Sequence, residues 1–150
     1  MDSGEVEGRT LAAGSATGRV LRLDEPLSLW GGMDPATGRI IDRRHPQAGQ
    51  SLAGRVVVMP AGRGSSSSSS VLAEAIRAGT APAALVLREA DPILALGALV
   101  ASELYDRRMP VVVIDERAHA AIRAGDEVVV RAGPRGASVR GPRGSATPRG

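Results

Sequence analysis

From Gly54 onward, short apolar runs alternate with longer stretches in which apolar residues recur every three or four positions. Arg55–Met59, Ala84–Leu87, Val111–Ile114 and Glu127–Arg131 have the length and β-branched content of strands buried on both faces. Between them, Leu72, Ala75, Ile76 and Gly79 fall on one face of a helix. Ile93, Leu96, Gly97, Val100 and Leu104 trace the stripe of a second helix, and Ala118–Arg123 reads as a short third. This half is strand–helix–strand–helix–strand–helix–strand, and right-handed crossovers would lay such helices on a mostly parallel sheet.

The first half is β-rich. Thr10–Ala12 and Arg19–Leu23 flank Gly14–Gly18, and the second run alternates apolar with polar as a half-buried strand does. Asp24–Ser51 is irregular, with a strand expected at Arg39–Asp42. A loop this long in a compact domain is usually functional or disordered. The fold class expected is α/β, of a β/β/α kind, with a β-rich N-terminal section packed on a mostly parallel βαβαβ core. Residues 1–8 read as an acidic, frayed lead-in and 9–133 as the domain. Residues 134–150 hold one large apolar residue, Val139, too little to offset their ordering entropy, and read as a disordered tail.

Composition narrows the function. The 150 residues suit one domain, and 43% are apolar. Trp30 and Tyr105 are the only aromatics, so the core must be Val, Ile, Leu and Ala. The chain has no cysteine, hence no disulfide, thiolate nucleophile or thiolate-bound metal of its own. With His45 and His119 far apart in sequence, no metal site is expected. The net charge of +3 comes from the tail: 19 Arg less the four at Arg135, Arg140, Arg143 and Arg149 leaves 15 against 16 acids. A neutral body without stacking aromatics excludes a nucleic-acid surface there. No apolar run reaches the ~18–20 residues of a membrane span. The acidic N-terminus lacks a signal-peptide pattern, and cytoplasm is the expected compartment.

The strongest chemical signal is Pro60-Ala61-Gly62-Arg63-Gly64-Ser65-Ser66-Ser67, between a buried strand and a helix. A helix start exposes unpaired N–H groups and the positive end of its dipole, which suits a carboxylate or phosphate. Gly62 and Gly64 allow close approach, the hydroxyls of Ser65, Ser66 and Ser67 add donors, and Arg63 offers a fork for an anion. The loop lacks the Lys of a Walker motif, the third glycine of a dinucleotide fingerprint and the G-x-S-x-G of an acyl-transfer elbow. The plainer reading makes the serines a helix cap or a low-complexity linker. Trp30-Gly31-Gly32 reads either as a pocket wall or as a turn with a core-filling indole. Asp34-Pro35 reads as a turn. His45 reads either as a site residue or as a hydrogen-bonded loop histidine, and His119, in its Ala-rich helix, as structural or exposed.

Three motifs in order, Trp30-Gly31-Gly32-Met33-Asp34-Pro35-x-Thr37-Gly38-x-Ile40-x-Asp42, His45-Pro46-x-x-Gly49 and Pro60-x-Gly62-Arg63-Gly64-Ser65-Ser66-Ser67, resemble the aconitase X small subunit, or swivel domain, over residues 9–132. The resemblance implies a β/β/α domain closing over a large subunit that holds an iron–sulfur cluster, while this chain binds no cofactor itself. It implies a hydro-lyase (dehydratase) acting on a small carboxylate. The family's substrates are cis-3-hydroxy-L-proline and mevalonate 5-phosphate. Arg without Lys suggests a GC-rich bacterial genome and leans to the first. Carried over by motif, the proton-handling serine is Ser65, with substrate contacts from Arg63, Gly64, Ser66, Ser67, Trp30, Gly31, Gly32, Asp34 and His45. The family's Arg after two serines is missing, since Ser67 stands there, and Arg63 would replace it. The competing expectation is a stand-alone anion- or small-molecule-binding module without catalysis.

Overall fold

The computed structural model describes residues 4–141. In chain order, the elements are β1 (Glu5–Ala12), β2 (Gly14–Arg22), the single kinked turn α1 (Leu29–Gly32) and β3 (Val56–Met59). Then come α2 (Ser68–Ala78), β4 (Ala84–Leu87), α3 (Pro92–Tyr105), β5 (Val111–Val113), α4 (Glu116–Ala121), β6 (Glu127–Gly133) and β7 (Gly136–Arg140). The strands close into a barrel of order β1-β5-β4-β3-β2-β6-β7, with β7 returning to β1. β2, β3, β4 and β5 are mutually parallel, while β1, β6 and β7 complete the barrel with antiparallel pairings.

The apolar strands have two cores to serve. Val56, Val58, Val86 and Val112 point into the barrel with Val20, Ile114, Val128, Val130 and Val139. Their neighbours Val57, Met59, Leu85, Leu87 and Val111 point outward, under Leu72, Ala75 and Ile76 of α2 and Leu94, Ala98 and Ala101 of α3. Each strand therefore lacks a polar face, which is why the runs are continuous in sequence. Ala118 and Ile122, of α4 and its C-cap, pack against the barrel interior.

Helices α2 and α3 approach closely at Gly97. A Cβ there would lie 2.7 Å from the Ser69 carbonyl oxygen and 3.1 Å from Leu72 Cβ. The contact holds α3 against the first turn of α2, the turn that follows Ser65.

Three sequence expectations are corrected. The lead-in is not frayed from Glu5 on, because Glu5–Gly8 pair with Arg140–Ala137. The tail is not disordered from Pro134, because β7 pairs with both β1 and β6 and buries Ala137 and Val139. Backbone ladders, with Val6 and Val139 paired on the inner side, supply what the composition of these segments lacks. Residues 142–150 and 1–3 of those two expectations lie outside the described residues. Arg39–Asp42 forms no strand. Arg39 and Ile40 make isolated bridges to Ser51 and Met33 within a folded loop.

Candidate functional site

β3 delivers Pro60 to the carboxyl edge of the parallel strands, where open α/β sheets place their ligands. The root of the loop is tied on two sides. The Pro60 carbonyl accepts from the amides of Arg88 and Glu89, each at 3.1 Å, and the Arg63 amide donates to the Leu27 carbonyl at 3.3 Å. Beyond Arg63 the ties stop. Among the described residues, the amides of Gly64, Ser65 and Ser66 donate to no protein acceptor.

The serine run is not a linker. Ser68, Ser69 and Ser70 are the first residues of α2, and Ser67, at the cap position, makes no capping bond through its side chain. The first turn closes through the main chain, with the Ser68 amide donating to the Ser65 carbonyl at 3.0 Å. Ser65 Oγ accepts from the Ser67 amide at 3.3 Å. Ser65 is half-buried, and Arg63, Gly64, Ser66 and Ser67 are exposed. Three free amides, a helix start and an uncommitted guanidinium thus share one loop. Glu74–Arg77 is the one ion pair among the described residues, so Arg63 is held by no carboxylate. An anion is the complementary ligand.

A second helix start faces this loop and is already filled. Asp91 caps α3, its Oδ1 accepting from Ile93 at 2.9 Å and Leu94 at 3.1 Å. Asp91 Oδ2 lies against Gly62, where any Cβ would collide with it. Between Gly62, Ser65, Ser68, Asp91 and Ile93 the enclosed space is only about 10 Å³, barely one water. A substrate must therefore meet Ser65 from the open side.

Trp30 stands beside the loop. Its amide donates to Ser68 Oγ at 3.2 Å, its carbonyl accepts from Ser28 Oγ at 3.0 Å, and the residue is 58% exposed. The indole is not a core filler. Gly31 turns the chain at a φ of +81° with open space around it, and Gly32 packs on Leu27. Asp34 is not brought to the serines. Its carboxylate accepts from Ala36 and Thr37 within its own turn, and the adjacent Pro35 carbonyl accepts from Thr80 beyond the far end of α2. An 11-residue helix is about 16 Å long. His45 is buried with both ring nitrogens committed: Nε2 donates to the Glu25 carbonyl at 3.1 Å and Nδ1 accepts from Gln47 at 3.0 Å. It fastens the segment leading to Leu27 and presents no free atom to a ligand.

Sequence reasoning missed Asp91, Ser68 and His119 as residues that shape the loop. Asp91-Pro92 carried a readable signal, a capping side chain followed by Pro at the first helical position. His119 carried none, since its partner Met59 lies 60 positions away.

An iron–sulfur cluster does not fit this chain, which has no cysteine. Among the described residues no group of three His, Asp or Glu side chains could hold a metal ion, and no helix is long and apolar enough to cross a membrane.

The geometry matches known proteins. A cis-3-hydroxy-L-proline dehydratase of Pseudomonas aeruginosa is 54% identical over 109 residues, 73% of this chain but 19% of the relative. This chain thus spans about a fifth of that relative's length. The phosphomevalonate dehydratase small subunit of Methanosarcina acetivorans is 34% identical over 127 residues, 84% of either chain. The holo-form crystal structure of Thermococcus kodakaraensis aconitase X superposes with a TM-score of 0.81 at 32% identity, over 92% of this chain and 98% of that one. The family model of the aconitase X swivel domain matches residues 5–139, and the chain belongs to that family.

Proposed function

We propose that this chain is the swivel subunit of a cytoplasmic hydro-lyase, and that Ser65 moves the proton on the carbon next to a substrate carboxylate. The observation that carries this reading is the open helix start: the free amides of Gly64, Ser65 and Ser66 beside Arg63, with Ser65 Oγ at the same turn. Negative charge grows on the carboxylate as its α-proton leaves, and donors already in place stabilise that charge most where water is excluded. The positive helix end favours the deprotonated, alkoxide-like form of Ser65, the form that can accept the α-proton. Arg63 and Trp30 would hold and wall the substrate.

The leaving hydroxyl needs a Lewis acid, which we assign to an iron–sulfur cluster on a large-subunit partner. The substrate class is a small hydroxy acid. The 54% identity to a cis-3-hydroxy-L-proline dehydratase supports that compound over mevalonate 5-phosphate.

The test is turnover of both substrates by the assembled complex with and without Ser65→Ala. A loss of about 10²-fold or more with the complex intact is expected. Unchanged turnover would reduce the loop to an anion-binding module, and turnover by the isolated chain would overturn the two-part reading.

A further inference from the structure

Helix α3 is apolar on two sides. Leu94, Ala95, Ala98 and Ala101 are buried against the sheet and α2. On the other side Leu96, Leu99 and Leu104 are 51%, 48% and 67% exposed. No polar side chain occurs between Asp91 and Ser102. Its neighbour α2 behaves as an outer helix should, with Ser70, Glu74 and Arg77 toward solvent. A helix that is apolar all round has a second neighbour. One exposed leucine needs no explanation, but Leu96 and Leu99 line a continuous groove of about 460 Å³ with Leu11 of β1, Ala90, Pro92 and Ala95. Contiguous apolar patches of this kind mark interaction sites.

The groove adjoins the serine loop. It begins at Pro92, next to Asp91, whose carboxylate abuts Gly62. The groove and the serine loop are thus joined through one residue, Asp91, which walls the loop and precedes Pro92. We infer that the β1–α3 groove, through Leu11, Pro92, Leu96 and Leu99, is the surface on which the large subunit seats. This rests on the two-part reading above. The size of the missing body supports it: the matched 109 residues make up 19% of the relative from Pseudomonas aeruginosa, so about four-fifths of that protein lies outside them. The face carries no ionisable group before Glu103, so the contact is apolar, as in the buried centre of lasting interfaces.

The experiment co-expresses the chain with the aconitase X large subunit of the same organism and measures affinity and turnover for wild type, Ser65→Ala and the double variant Leu96→Glu/Leu99→Glu. Wild type and Ser65→Ala should retain the large subunit equally. The double variant should bind roughly 100-fold more weakly, as for two interface anchors. Its turnover should return when subunit concentration is raised, which a damaged active site would not allow. Because both leucines are exposed, the isolated variant should melt within a few degrees of wild type. Equal affinity of the double variant overturns the inference. So does a wild-type dimer that the double variant dissociates, since the groove would then hold a second copy. A wild-type chain that retains no large subunit overturns the two-part reading, and this inference with it.

Discussion

His119 Nε2 donates to the carbonyl of Met59 at 2.9 Å, joining α4 to the last residue of β3 before the serine loop. Arg22 secures the histidine from the other side. Its Nη1 donates to the carbonyls of His119 at 2.8 Å and Ile122 at 3.0 Å, and its Nη2 lies 3.5 Å from His119 Nδ1. Burial holds the imidazole pKa below its ordinary value. The hydrogen bond to Met59 opposes this, and the positive charges of Arg22 and Arg88 reinforce it.

A pH dependence follows. With its folded pKa below the unfolded value near 6.5, His119 binds a proton more readily in the unfolded chain. Its contribution to stability is complete above that unfolded value. It falls as pH drops through the window down to the depressed folded value, and is flat below. Thermal melts between pH 8 and 5 should show this loss in the wild type and less of it in His119→Gln. Equal slopes would show that the histidine is not the titrating group.

Gly97 sets the distance between α2 and α3. A methyl group there meets the Ser69 carbonyl, which is backbone and cannot rotate away. Gly97→Ala should therefore destabilise by about 1–3 kcal/mol, the range for overpacking. It should also reduce turnover in the assembled enzyme, because the displaced turn follows Ser65. Denaturant titration reads the first effect and steady-state kinetics the second. An unchanged midpoint would mean that α3 is free to slide.

Much of this arrangement was legible in sequence, and apart from the helix cap at Asp91-Pro92 most of the remainder had no local signal. Val56–Met59 and Val111–Val113 were readable because burial on both faces removes polar residues from the strand. Ser65 was placed at a strand-to-helix turn by the glycines before it and the amphipathic helix after it. Glu5–Gly8 were not readable as a strand, because their partner Ala137–Arg140 lies at the opposite end of the chain, and Ala137–Arg140, although hairpin-paired to β6, has Val139 as its one large apolar residue. Asp34 and His45 lie near Trp30 in sequence. Yet the chain turns at Gly31, and the Pro35 carbonyl next to Asp34 accepts from Thr80, beyond the end of α2 opposite Ser65.

Trp30 separates function from stability. The side chain is mostly exposed, and the bond to Ser68 uses its main-chain amide. Trp30→Ala should change stability by no more than about 0.5 kcal/mol. In the assembled enzyme it should raise KM or lower kcat, by removing the wall beside the loop. A variant with unaltered kinetics would assign the indole to solvent.

Asp91 is where helix capping and the site coincide. Its Oδ1 caps α3 while its Oδ2 rests on Gly62, so one carboxylate fixes both the helix start and one wall of the loop. Asp91→Ala should cost about 1 kcal/mol, the usual value of a lost cap, or a fall in Tm of roughly 2–4 °C for a domain of this size. Turnover should fall with it as Gly62 loses its support. Asn is an equally good cap of the same shape. Asp91→Asn should therefore keep both the melting temperature and the turnover of the wild type. If Asp91→Asn instead melts like the wild type but turns over slowly, the loop depends on the negative charge beside Ser65, and Asp91 acts on the serine as well as on the helix.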